Sequence, residues 1–142
     1  MSELYQRAVK LLARREHTRV ELARKLAPHG TPEEIDTVLN ELAKNGLQSD
    51  ARFAESYLRS QAARLGAARL RQTLRQKGVA AELIADHVEE LPDEFRRAHA
   101  VWQKKFSAAP ADRSDWARQA RFLQGRGFSV EVIRKLLKEI EE

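Results

Sequence analysis

His17, His29, His87 and His99 are the side chains of this 142-residue chain best suited to metal ligation or proton transfer. His17 falls near a helix junction, His29 near a helix end, and His87 and His99 on separate helices. No two of them form a His-x3-His pair, and none is spaced with carboxylates in the manner of a metal triad. Surface or capping roles are therefore expected for all four. Glu89-Glu90 and Glu141-Glu142 look like paired acids, but adjacent helical residues point about 100° apart. Neither pair converges on one proton or one cation, so both read as solvated faces. The chain has no cysteine, which removes disulfides, thiolate zinc sites and thiol nucleophiles. Gly125-Arg126-Gly127 follows no strand and reads as a helix terminus rather than a phosphate loop. The residues support no catalytic constellation, no metal site and no cofactor. The chain reads as a non-enzyme.

Basic residues carry the remaining signal. The chain has 26 Lys+Arg against 21 Asp+Glu, a formal charge of +5 that permits an anionic partner without requiring one. The distribution says more. Arg52, Arg59, Arg64, Arg69, Arg71, Arg75 and Lys77 fall between Ala51 and Val79, with Glu55 the one acid among them. The following stretch to Pro92 has Glu82, Asp86, Glu89 and Glu90 and no base. Glu33, Glu34, Asp36 and Glu41 make an earlier segment acidic in the same way. Later, Arg113, Arg118, Arg121 and Arg126 line one helix and Arg134, Lys135 and Lys138 another. Arg71 and Arg75 stand one helical turn apart, about a quarter-turn from the Ala67, Leu70 and Leu74 stripe, so both can reach one groove wall. Such a cluster suits phosphate, with a steep salt dependence, or an acidic protein surface.

The elements that must position these charges are legible through a repeat. Glu-x-Ile recurs at Glu33/Ile35, Glu82/Ile84 and Glu131/Ile133, 49 residues apart each time. The same interval relates Leu39, Val88 and Leu137, then Leu42, Leu91 and Ile140. Leu26, Leu74 and Leu123, and likewise Gly30, Gly78 and Gly127, are 48 and 49 apart. Three tandem copies of one unit follow, each read as three helices from its apolar spacing. The expected helices are 3–15, 18–28 and 32–44; 50–63, 67–77 and 81–90; and 93–107, 113–125 and 130–141. Thr31-Pro32-Glu33 is an N-cap, a first-turn proline and an acid at the positive end of the helix dipole. Ser129 keeps that capping hydroxyl, whereas the second copy has Ala80. Ser49 or Asp50 can cap the helix after Asn45-Gly46. Gly30 is expected to close a helix in the left-handed conformation, and Ala108-Ala109-Pro110-Ala111 to form the longest loop.

The expected fold is all-α, three three-helix repeats spanning 1–48, 49–91 and 92–142, packed into an elongated, curved array. Most of Tyr5, Phe53, Tyr57, Phe95, Trp102, Phe106, Trp116, Phe122 and Phe128 keep helical spacing, so core packing is expected before base stacking. No apolar run is long enough to span a membrane, and Met1-Ser2-Glu3-Leu4-Tyr5 lacks the apolar core of an export signal. A cytoplasmic protein is expected. It should be a monomer, since no self-complementary apolar stripe stands out.

The run Asp50-Ala51-Arg52-Phe53-Ala54-Glu55-Ser56-Tyr57, then Gly66 and Leu70-Arg71-Gln72-Thr73-Leu74-Arg75-Gln76-Lys77-Gly78-Val79, resembles the RecX regulatory proteins. Gly46-Leu47 and Phe122-Leu123-Gln124-Gly125-Arg126-Gly127-Phe128-Ser129 extend the resemblance over nearly the whole chain. One departure is Gln61-Ala62-Ala63, where many relatives are more basic. The resemblance implies a non-enzymatic modulator of the RecA recombinase, a crescent of three three-helix repeats that binds the RecA–single-stranded-DNA filament along its helical groove. Inhibition of filament growth, ATP hydrolysis, strand exchange and SOS co-protease activity is implied with it. On that reading Arg52, Arg59, Arg64, Arg71, Arg75 and Lys77, with Arg118, Arg121 and Arg126, are the expected contacts to filament or DNA. A stand-alone DNA-binding protein built on the same basic helices is the alternative.

Overall fold

The computed structural model describes residues 2–142. Among them there is no strand, and the helices are α1 (Glu3–Arg14), α2 (Arg19–Leu26), α3 (Pro32–Lys44), α4 (Asp50–Gln61), α5 (Ala67–Gln76), α6 (Ala81–Glu89), α7 (Glu94–Lys105), α8 (Arg113–Gly125) and α9 (Val130–Glu141). The all-helical, three-repeat expectation is met, with every helix end within two residues of its expected position.

Local chemistry accounts for most of these boundaries. Thr31 accepts from the Glu34 backbone N–H while the Glu34 carboxylate accepts from that of Thr31, a reciprocal cap with Pro32 at the first turn. Ser129 caps α9 through the Val132 N–H, and Ser49 caps α4 through the Arg52 N–H. The sequence reading missed a second reciprocal cap, Thr18 with Glu21, at the start of α2. The segment expected as one helix over 18–28 is α2 followed by a 3-10 turn, Ala27–His29. Ala27 keeps helical geometry (φ −50°, ψ −42°), but Pro28 has no N–H to offer the Arg24 carbonyl, so the ladder stops there.

That turn also overturns the expectation for Gly30, whose φ of −166° is ordinary extended backbone. Like Gly46 (φ +73°) after α3, its repeat counterparts Gly78 (φ +89°) and Gly127 (φ +94°) do close helices in the left-handed conformation. There the Val79 and Phe128 N–H groups reach back to the Leu74 and Leu123 carbonyls, while Gly78 and Gly127 donate to Arg75 and Gln124. The first copy is one residue shorter between its leucine and its Glu-x-Ile, and it substitutes the 3-10 turn for this closure.

The described chain divides into two compact units. One comprises the chain up to Tyr57 together with Leu74–Ile84; the other comprises Leu58–Thr73 with Ala85–Glu142. In the first, α3 presents Ile35, Val38, Leu39 and Leu42 at helical spacing to Leu4, Tyr5 and Ala8 of α1 and to Leu22 and Leu26 of α2. In the second, Ile133, Leu136 and Leu137 of α9 meet Ala98, Val101 and Trp102 of α7 and Leu123 of α8. The Trp102 indole N–H donates to Gln119 Oε1 at 2.7 Å, so the buried amide and ring satisfy each other. The repeat-related Leu26, Leu74 and Leu123 all have 0% exposure. Tyr5, Phe53, Trp102, Phe106 and Phe128 are buried, in line with the packing role expected of the aromatics.

His17, expected at the surface or at a cap, is buried at 2% exposure. Its Nδ1 lies 2.9 Å from the Arg15 carbonyl, which makes Nδ1 the protonated nitrogen. Nε2 is buried with no hydrogen-bond partner among the described residues. Burial lowers the His17 pKa below its ordinary value of 6.5. The unfolded chain therefore takes up a proton first as pH falls through about 6.5, and the folded state loses stability below that value. His17→Leu should flatten the fall in melting temperature between about pH 6.5 and 5; an unchanged slope in thermal scans would show that His17 does not report it.

In the second unit, Gly66 and Gly127 bring two backbones together. The Gly66 N–H donates to the Arg126 carbonyl at 2.7 Å, and a Cβ on Gly66 would stand 2.3 Å from the Gly127 carbonyl carbon. A Cβ on Gly127 would stand 2.3 Å from Arg69 Cβ, in a left-handed conformation besides. Gly66→Ala and Gly127→Ala should each cost about 1–3 kcal/mol or more in chemical denaturation. Gly125→Ala, with nothing within 4 Å of the added carbon, is the control expected to be neutral or mildly stabilising.

Candidate polyanion-binding surface

In the first unit, two of the expected contact residues are held by the fold itself. Arg52 Nε donates to Glu16, while its terminal nitrogens donate to the Gly46 and Leu47 carbonyls at 2.9 and 3.1 Å. The bond to Glu16 raises the Arg52 pKa. Lys77 Nζ lies 3.2 Å from Glu21, the residue that also caps α2 and meets Arg15 at 3.4 Å. Burial alone would push the Glu21 carboxyl up, but the Thr18 N–H, Arg15 and Lys77 hold it below the usual range. Both cations close helix ends. Arg75, by contrast, is exposed and makes no side-chain hydrogen bond or ion pair among the described residues.

The second unit gathers charge more openly. Arg64 and Arg126 line one groove of about 260 Å³ with Lys104, Lys105, Val101 and Phe122. A second groove, of about 500 Å³, shares Ala63 and Lys104 with it and is bordered by Arg59 and Arg96 over Leu58, Leu91 and Pro92. No carboxylate lines either groove. Lys105 Nζ is 5.5 Å and the Arg126 guanidinium 5.1 Å from the centre of the Phe122 ring. Phe106 meets that ring edge-on at 5.4 Å.

Arg97 stands at the edge of this region but is buried, and donates to the Pro92, Ala62 and Leu65 carbonyls at 2.7–3.1 Å. Burial lowers its pKa, offset in part by Glu94 and Asp93. Arg118 leans on Asp115 at 2.6 Å and lies 5.1 Å from the Phe106 ring. Arg71 and Arg121 are exposed on α5 and α8, with no side-chain partner among the described residues.

The structure thus brings Arg64 and Arg126 together in one groove and Arg59 to its neighbour. It leaves Arg71, Arg75 and Arg121 exposed, ties Arg118 to Asp115, and engages Arg52 and Lys77 internally. Lys104, Lys105 and Arg96 are groove residues that the sequence reading passed over. Their spacing was the available signal, because Arg96, Ala100 and Lys104 are successive members of one helical stripe. Among the described residues, no three of His, Asp and Glu stand together in a way that could hold a metal ion. No described helix is long and apolar enough to cross a membrane.

Comparison with known proteins places the architecture. Residues 5–42, 49–87 and 92–137 match the first, second and third three-helix domains of RecX. Regulatory protein RecX of Leptothrix cholodnii is 48% identical over 93% of this chain and 85% of its own length. Its counterpart from Chromobacterium violaceum is 45% identical over 92% and 86%. The crystal structure of RecX from Lactobacillus salivarius superposes with a TM-score of 0.83, covering 98% of this chain and 95% of that one at 22% identity. A second crystal structure, of a regulatory protein RecX, gives 0.82 at 26% identity over 96% and 72%. A triplicated three-helix unit, its cationic helices and identity of this extent lead to one assignment: the chain belongs to the RecX family of regulatory proteins.

Proposed function

We propose that this protein regulates recombination by binding the filament that RecA forms on single-stranded DNA. On this reading it restrains filament growth, ATP hydrolysis, strand exchange and SOS co-protease activity, acting as a cytoplasmic monomer of three repeats, 1–48, 49–91 and 92–142. Family membership sets the class. The observation that carries the reading to a surface is that Arg64, Arg71, Arg75 and Arg121 are exposed without side-chain partners among the described residues. Solvated guanidinium groups of this kind meet phosphate or carboxylate without first breaking an internal bond. Arg52 and Lys77 contribute less on this account, because a contact there competes with Glu16 and Glu21.

The same arginines also favour plain DNA binding as a second reading. Titration of labelled single-stranded DNA at two salt concentrations, without recombinase, separates the two. Tight binding that falls steeply with salt supports the second.

The direct test is the single-stranded-DNA-dependent ATPase of RecA as this protein is added below filament stoichiometry. Inhibition at a small molar fraction is expected. Arg71→Glu with Arg75→Glu should raise the half-inhibitory concentration about tenfold or more at an unchanged melting temperature. Undiminished inhibition by the folded double variant would remove these arginines from the contact, and no inhibition by the parent protein at excess would discard the filament reading.

A further inference from the structure

The two joined grooves of the second unit have a composition that discriminates between anionic ligands. Their walls carry Arg64, Arg96, Lys104, Lys105 and Arg126, and no acid. Their accessible floor is aliphatic, formed by half-buried Leu91 with exposed Pro92 and Ala100 over the buried side chains of Leu58 and Val101. Phe122 is the one aromatic residue lining either groove, and its ring is already engaged by Lys105, Arg126 and the edge of Phe106.

Grooves that hold single-stranded nucleic acid pair cations with aromatic faces on which bases stack, each stacked base contributing about 1–3 kcal/mol. Here a base would compete with two cations for the single ring. An aliphatic floor flanked by cations instead complements a chain with alternating aliphatic and carboxylate side chains. The aliphatic groups cover Leu91, Pro92 and Ala100 while the carboxylates reach the lysines and arginines. Lys104, common to both grooves, sits where it meets such a segment along its length.

We infer that the joined grooves dock an acidic polypeptide segment with interspersed aliphatic side chains, rather than single-stranded nucleic acid. The inference deepens the proposed function and rests on it only for the source of the segment, a protein partner rather than the polynucleotide. The binding itself is read without recombinase.

The experiment is fluorescence anisotropy on the full chain with three probes of equal formal charge. They are a short peptide of repeated Glu-Leu pairs, its Glu-Ser counterpart, and oligothymidylate. The Glu-Leu peptide should bind about tenfold tighter than either of the others. Lys104→Glu should weaken it about tenfold, Lys104→Gln by less, and Lys25→Glu, at an exposed position of α2 in the other unit, should leave it unchanged. Tighter binding of oligothymidylate, lost with Lys104→Glu, would overturn the inference in favour of nucleic acid. Equal binding of the two peptides, or indifference of the Glu-Leu peptide to both Lys104 variants at an unchanged melting temperature, would overturn it outright. Peptide binding that behaves as expected while the parent protein fails to inhibit the RecA ATPase would retire the filament reading and leave the groove assignment standing.

Discussion

Every α-helix leaves its last carbonyls without an intrahelical donor, and a chain built of short helices has many such ends to satisfy. Here local N–H groups close the last turns, and donors from elsewhere in the chain bond the carbonyls at or just beyond them. Arg52 reaches the Gly46 and Leu47 carbonyls after α3, Arg97 those of Ala62 and Leu65 after α4, and the Thr18 hydroxyl that of Lys77 after α5. At the end of α8, Arg69 bonds the Gly125 carbonyl and the Gly66 N–H that of Arg126. A buried carbonyl left unbonded costs about 1–3 kcal/mol, so these links fix which helix end meets which donor. Packing of the aliphatic cores supplies most of the driving force; the capping donors supply the register.

This division of labour changes the meaning of the positive charge. Arg52, Arg69, Lys77 and Arg97 lie in or next to the basic segments, yet their polar groups are bonded to other groups of the protein. Arg64, Arg71, Arg75 and Arg121 have no such engagement among the described residues. Two kinds of cation therefore share the same helices, one holding helix ends and one facing solvent. A count of charge per segment mixes them.

The legible and illegible parts of the sequence divide along the same line. Caps are local: Thr31-Pro32-Glu33 and Ser129 act within one turn, so type and spacing announce them. The apolar positions repeat at 49 residues because each copy turns the same stripe inward, and Leu26, Leu74 and Leu123 are buried alike. The pairing of Arg97 with Ala62 spans 35 residues and that of Lys77 with Glu21 spans 56, and no local pattern specifies either. His17 was misjudged for the same reason, since its burial depends on neighbours that periodicity does not name. Gly30 was misjudged because homology between copies stood in for backbone geometry, and Pro28 had altered that geometry. The groove lysines were legible and passed over, for α7 sets Arg96, Arg97, Lys104 and Lys105 against Glu94, a net charge as positive as that of α5.

The partition of the middle helices bears on how such a chain can be divided. Residues of α4, α5 and α6 belong to both compact units, with the boundaries falling inside the helices at Tyr57/Leu58, Thr73/Leu74 and Ile84/Ala85. The period seen in the sequence marks a unit of duplication, whereas the compact units mark how the helices pack, and the two are out of phase. A fragment trimmed to whole repeats would strand half of the middle helices without the residues they pack with. Removing or adding one copy would therefore cut through the packing of a compact unit rather than between units.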